Sequence, residues 1–179
     1  MGEWKTLSSK VVYENPWMTV REDKAINPVG KETIYGVVSS TSDSVCIVPI
    51  DDEGYTYLVN QYRYTLQKDT WEVPAGRTEN EAVIEAARRE LLEETGLEAA
   101  EIIQVMDYNS ASGLSTFKGT MCVARGVKKV TDELDQVDGI KGVKRVPLSS
   151  AAELIAAGEI SGVSSMAALL MANELFNTH

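Results

Sequence analysis

The chain reads as an α/β protein: a mixed sheet with helices packed on it, preceded by a small separate β subdomain. Three observations carry that reading. The first third is dense in β-branched and aromatic runs broken by turn residues. A single helical stretch bounded by glycine follows, and further strand-like runs follow it. Two helical segments close the sequence.

In chain order, strands are expected around Val11–Tyr13, Met18–Glu22, Thr33–Val38, Val45–Ile50 and Tyr55–Val59. Turn signals separate them at Asn15-Pro16, Asn27-Pro28-Val29-Gly30 and Asp51-Asp52-Glu53-Gly54. Trp71-Glu72-Val73-Pro74-Ala75-Gly76 is an extended segment closing in a loop. Residues 81–95 read as a helix, capped by Asn80, rich in Ala and Leu, and stopped by Gly96. Strands are expected at 101–107, 117–124 and 140–146. Ser150 and Glu153 form a capping box for a short helix ending at Gly158, and Ser164 or Ser165 opens the last helix, through Phe176. Met166, Leu169 and Leu170 are its packing stripe. The strand-rich lead-in is longer than one compact sheet needs, so residues 1–40 are assigned to an N-terminal β subdomain and 41–179 to the main domain.

The charge is unevenly placed. Formal net charge is −10, from 17 Lys+Arg and 27 Asp+Glu. Residues 79–101 hold eight acids and two bases, and 132–138 hold four acids and no base, so these two segments account for the whole imbalance. An acidic chain argues against a nucleic-acid backbone or an anionic membrane as partner. With 44% apolar residues there is enough material for a core. No apolar run approaches the ~20 residues that span a bilayer, and the start, Met1-Gly2-Glu3-Trp4-Lys5, has no apolar signal core. Cys46 and Cys122 sit in strand-like apolar runs and read as buried free thiols. With His179 the only histidine, His/Cys zinc sites and histidine-based triads are excluded. A cytoplasmic setting is the expectation.

The most informative stretch lies on the helix. At helical spacing Glu90, Glu93 and Glu94 share one face within about 100° of arc. Like charges at this spacing repel, and the C-terminal half of a helix disfavours negative charge. The cluster therefore calls for a compensating cation, and hard ions with oxygen ligands, Mg²⁺ or Mn²⁺, are the natural ones. Ala86 and Ala87 continue the arc with small side chains that let other backbone approach. Arg89 lies beside the cluster and is placed to hold a carboxylate.

Arg89-Glu90-Leu91-Leu92-Glu93-Glu94-Thr95-Gly96-Leu97 resembles the core of the Nudix hydrolase signature, G-x5-E-x7-R-E-U-x-E-E-x-G-U. Glu81 occupies the earlier Glu position. Gly76 precedes it by four intervening residues rather than five, so the loop 77–80 is one residue short. Asn60-Gln61-Tyr62-Arg63-Tyr64, Trp71–Gly76, Glu14-Asn15-Pro16-Trp17 and Val146-Pro147-Leu148 are similar to the branch containing ADP-ribose and nucleoside-diphosphate-sugar pyrophosphatases.

That resemblance implies an α/β/α sandwich around a mixed sheet, with the N-terminal β subdomain supporting a homodimer. It implies hydrolysis of a nucleoside diphosphate derivative with Mg²⁺ or Mn²⁺, either ADP-ribose or a sugar nucleotide. A dinucleotide or dinucleoside polyphosphate substrate, or a non-catalytic nucleotide-binding module, is the alternative. Metal would be held by Glu90, Glu94, Glu93 and the main-chain oxygen of Ala75. Glu93 is the candidate base, with Arg89 orienting a glutamate. Arg63 would meet a phosphate or a neighbouring acid, Arg77 would reach phosphate, and Trp17 would stack on a base from across the dimer. Two places depart from the branch. Ser110-Ala111-Ser112-Gly113-Leu114-Ser115 lacks the proline of a Ser-Pro-Gly-like loop. A further loop glutamate is expected at Val137 or Gly139, and the nearby acids are Glu133, Asp135 and Asp138, with Asp138 the first choice.

Overall fold

A computed structural model of the chain describes residues 2–134 and 139–176. The described residues fall into two compact units. The first runs to Asp43 and takes in Asn109–Lys118. Its strands β1 (Lys5–Glu14), β2 (Met18–Ile26) and β3 (Glu32–Ser40) form an antiparallel sheet in that order. The Asn15 side chain makes the first turn, its Oδ1 accepting the N–H groups of Trp17 and Met18 at 2.9 and 2.8 Å. Asn27 does the same for Lys31 at 2.9 Å. The segment 109–118 is tied to β3, with Val38 N–H on the Leu114 carbonyl and Thr116 N–H on the Val38 carbonyl, both at 3.0 Å. Every residue of β1 is exposed, including Leu7, Val11, Val12 and Tyr13. The strand is longer than the expected 11–13, because its first half is polar and carries no strand signal of its own.

The second unit holds β4 (Ser44–Ile50), β5 (Tyr55–Arg63), β6 (Lys68–Glu72), β7 (Ala75–Arg77), α1 (Val83–Thr95), β8 (Leu97–Asn109), β9 (Lys118–Lys129), β10 (Ile140–Pro147), α2 (Ala151–Ala156) and α3 (Val163–Phe176). The sheet order is β10-β5-β4-β9-β8, with β6 on β5 and β7 on β4. It is mixed: β4 runs parallel to β9 and antiparallel to β7. Strand β4 is buried along nearly its whole length, as a central strand covered on both faces must be. Its alternate residues feed two cores. Cys46, Val48 and Ile50 pack with Ala168, Leu169 and Ala172 of α3, and Val45 and Ile47 pack with Ala86, Ala87 and Leu91 of α1. Helices thus cover both faces, giving the α/β/α layers. Among the described residues no helix is long and apolar enough to cross a membrane.

Helix ends depart from the sequence reading in instructive ways. Gly96 ends α1 in the left-handed region (φ 70°), with its N–H on the Leu92 carbonyl, and a Cβ there would lie 2.2 Å from the Thr131 carbonyl oxygen. Asn80 is not the cap. Asn80 and Glu79 both have positive φ (71° and 49°), and they turn the shortened loop so that the helix starts at Val83 with no side-chain cap. Ser150 does not form its capping box either, because its hydroxyl donates to the Pro147 carbonyl at 2.7 Å. On α3 the buried face is Ser165, Ala168, Leu169 and Ala172, while Leu170 is exposed.

Both cysteines are free and buried. Burial pushes the Cys46 thiol up to about 11, against a smaller downward pull from Tyr108. Burial, helped by nearby Cys46 and Asp107, pushes Cys122 up to about 12. The sign follows from linkage: the unfolded chain ionises at the ordinary 9.0 while the folded one resists. Stability from these groups is full below that value and lost as pH rises through the folded values. Ultraviolet thiolate titration of the native protein should therefore show no ionisation at 9.0. Thiolate signal at that pH from folded protein would contradict the burial.

Candidate active site

Three glutamates, Glu81 ahead of α1 and Glu90 and Glu93 on it, meet one guanidinium. Arg89 Nε donates to Glu81 at 3.0 Å, and its Nη1 donates to Glu90 at 2.7 Å and to Glu93 at 3.1 Å. Its Nη2 donates to the Arg77 carbonyl at 2.9 Å. Burial alone would lower the Arg89 pKa, but the bonds to Glu81 and Glu90 and the Glu90 charge outweigh it and raise it, so Arg89 stays charged. Glu81 keeps its contact although the loop is one residue short, because the paired left-handed residues Glu79 and Asn80 complete the turn in less chain.

Glu90 and Glu94 are buried, at 5% and 2% exposure, and both lie against β7. The Ala75 N–H donates to Glu94 Oε2 at 2.9 Å. Gly76 leaves room for Glu90, since a Cβ on Gly76 would sit 2.0 Å from the Glu90 Oε1. Gly76 lies within β7, and it is side-chain packing against Glu90 that requires a glycine there. Glu93 differs from both: its side chain is 43% exposed and touches Arg89 from the solvent side.

A second ion pair lies upstream. Arg63 Nε and Nη2 donate to the two Glu72 oxygens at 2.8 and 2.7 Å, and the Thr70 hydroxyl donates to Glu72 at 2.5 Å. This fork-on-fork pair spans the β5–β6 hairpin. Burial alone would raise the Glu72 pKa, but hydrogen bonds from Arg63 and Thr70 outweigh it and hold the carboxyl below its usual range. Glu72 was absent from the sequence-derived site. The signal for it was its place immediately before Val73-Pro74-Ala75-Gly76.

The structure brings together Ala75, Arg89, Glu90, Glu93 and Glu94, with the Arg77 main chain. Arg63 is engaged with Glu72. Trp17 is 64% exposed in the N-terminal unit. Asp138 and Asp135 lie outside the described residues, and Glu133 is exposed on the near side of that stretch.

The residues fit a hard divalent cation. Three carboxylates share one guanidinium, a fourth lies beside them, the donors are all oxygen, and two of the four carboxylates are buried where uncompensated charge is costly. Among the described residues, no three Asp, Glu, His or Cys side chains are already gathered as a cage.

A mixed sheet between helices, with a glutamate-bearing helix clamped over a short strand and glycine loop, defines a class of hydrolase. The NUDIX domain family matches residues 41–164, and the family described as nucleoside diphosphate sugar hydrolase N-terminal domain matches residues 4–38. The chain belongs to the Nudix hydrolases, in the branch of ADP-ribose and nucleoside-diphosphate-sugar pyrophosphatases. It is 30% identical over 171 residues to an ADP-ribose pyrophosphatase of Mycobacterium tuberculosis, covering 94% of this chain and 82% of that protein. It is 26% identical to an ADP-ribose pyrophosphatase of Bacillus subtilis, covering 88% of this chain and 86% of the other. A crystal structure of an ADP compounds hydrolase shares the fold, with TM-score 0.86, 22% identity, and 99% and 96% of the two chains covered. The protein is therefore a Nudix pyrophosphatase, of a family that uses divalent metal ions.

Replacing Arg63 with Ala would leave Glu72 ionised in a half-buried place without its main partner. The expected loss is on the order of 1–3 kcal/mol at neutral pH. A depressed carboxyl contributes stability above the unfolded value of 4.5 and loses it as pH falls through the folded value. The gap between parent and variant in urea unfolding should therefore narrow in acid, and an equal gap at both pH values would contradict the pairing.

Proposed function

We propose that this chain hydrolyses the diphosphate linkage of ADP-ribose or a nucleoside diphosphate sugar, with Mg²⁺ or Mn²⁺ as cofactor. The observation that carries this reading is the convergence of buried Glu90 and Glu94 on Ala75-Gly76 around one arginine. The names of the two curated relatives, and the N-terminal family matched at residues 4–38, support the substrate class.

In this reading Glu90, Glu94, Glu93 and the Ala75 carbonyl would hold the metal. A bound divalent cation would supply charge to offset the diphosphate oxygens and would make the attacking water more acidic. Glu93 is the exposed member of the set and takes the proton from that water, with Asp138 as the loop acid that shares the task. Water adds to one phosphorus, the bridging P–O bond breaks, and two phosphate monoesters leave. Arg89 keeps the carboxylates apart and oriented. Arg77 meets a phosphate, and Arg63 holds the extended segment through Glu72. Trp17 stacks on the base from across the dimer.

Residues 1–40, the greater part of the first unit, serve dimerisation in this reading, and residues 41–179 carry the chemistry. Support comes from Leu7, Val11, Val12 and Tyr13, all at least 47% exposed on one strand. Apolar surface of this kind marks protein interfaces.

Glu94→Gln should lower metal-dependent release of phosphate monoesters by at least about a hundredfold while circular dichroism stays unchanged. Full turnover in that variant would remove the metal assignment. A panel of ADP-ribose, sugar nucleotides and dinucleotides, each with Mg²⁺ and with Mn²⁺, should show turnover fastest on the first two classes. In solution the mass should be that of two chains at micromolar protein, and a single-chain mass would refute the dimer.

A further inference from the structure

The extended run from β6 into β7 delivers Ala75 to the glutamates, and its β6 part has two edges. Successive N–H groups of a strand point to opposite sides. On one side β6 pairs with β5, in the register Gln61 with Thr70 and Val59 with Glu72. On the other side the N–H groups of alternate residues turn to the C-terminal part of the chain. The Trp71 N–H donates to the Glu159 carbonyl at 3.3 Å, and the Val73 N–H donates to the Ser165 hydroxyl oxygen at 3.2 Å. Lys144 fastens the same place, with its Nζ 2.7 Å from Glu159 and 4.4 Å over the Trp71 ring.

The next two residues are held from elsewhere. The Pro74 carbonyl accepts the Ile47 N–H of β4 at 2.8 Å, and the Ala75 N–H donates to Glu94 on α1. Three consecutive residues, 73 to 75, are thus fixed by α3, by β4 and by the glutamate helix. The α3 contact is a single hydroxyl. Ser165 is 2% exposed and Val73 is 1% exposed, so water does not take over if the hydroxyl is lost. Ser165 also lies just beyond the stretch 41–164 matched by the NUDIX family.

We infer that Ser165 is a positioning residue: its hydroxyl sets the Val73–Ala75 segment against Glu94, and through it the C-terminal helix tunes divalent-cation binding. This rests on the reading that Glu90 and Glu94 hold the cation. Metal ligands tolerate displacements of only about 0.2 Å. Without the hydroxyl the buried Val73 N–H has lost its acceptor, and any movement of the segment toward another one carries Ala75 with it. Ser165 touches neither substrate nor metal, so its effect appears as weaker binding of the ion.

The test uses the full-length, substrate-free protein and Mn²⁺ alone, with bound ion measured by electron paramagnetic resonance. Ser165→Ala should raise the Mn²⁺ dissociation constant roughly three- to tenfold, short of the loss expected at an immediate ligand partner. Ser165→Cys, near in size but a weak acceptor, should give the same shift and guards against a folding failure of the alanine variant. Leu169→Val, in the same helix and core without a polar contact to the segment, should lower thermal stability and leave Mn²⁺ affinity unchanged. Unchanged Mn²⁺ affinity in both Ser165 variants would overturn the proposal. So would an equal loss in Leu169→Val, which would make the effect one of general stability. Glu94→Gln separates the two readings. If it leaves Mn²⁺ binding intact, the metal assignment has failed, whereas its loss with unaffected Ser165 variants condemns the positioning role alone.

Discussion

Two carboxylates are buried on α1, and the rest of the second unit is arranged around that constraint. Taking an ionised carboxylate out of water costs several kcal/mol unless it is paired. Glu94 receives a main-chain N–H from Ala75, Glu90 receives the Arg89 guanidinium, and Gly76 stands aside to let Glu90 in. In the function proposed here a divalent cation would offset the negative charge that Glu81, Glu90, Glu93 and Glu94 place together.

One turn earlier on the same side of α1, small apolar residues supply the packing that the glutamates lack. Ala86 and Ala87 are completely buried against Val45 and Ile47, so the helix approaches β4 closely. Leu91 is buried beside them, and burying such a side chain contributes about 1.5–3 kcal/mol. Because β7 pairs with β4 over Ser44–Cys46, the same central strand positions both the helix and the loop that meets it. The site is thus referenced to one rigid strand, buried on both faces, from which the helix and the glycine segment take their places independently.

Legibility varied with the range of the interaction. Gly96 was readable as the helix stop because a left-handed C-terminal residue is a local demand. Asn80 looked like a cap by type, yet the short loop forces it and Glu79 into the left-handed region, so its side chain has no helix N-terminus to serve. Ser150 had the capping-box spacing, but the nearer Pro147 carbonyl takes its hydroxyl. Leu170 fits a hydrophobic stripe by composition, and the small residues Ser165, Ala168 and Ala172 occupy the buried face in its place because α3 lies close to the sheet.

The glutamate face of α1, the role of Arg89 beside it, the layered α/β class and the Nudix family were all present in the linear order of residues. They depend on spacing along one helix and on runs of alternating or continuous apolar residues, which a chain carries without reference to its fold. The choice of Glu72 as the acid that Arg63 meets, the room that Gly76 makes for Glu90, and the bond from Ser165 to Val73 were decided by the tertiary structure. The last joins residues 92 positions apart, and no local pattern marks either partner. Such contacts arise only when separate elements are packed, because a buried N–H takes whichever acceptor the packing brings to it.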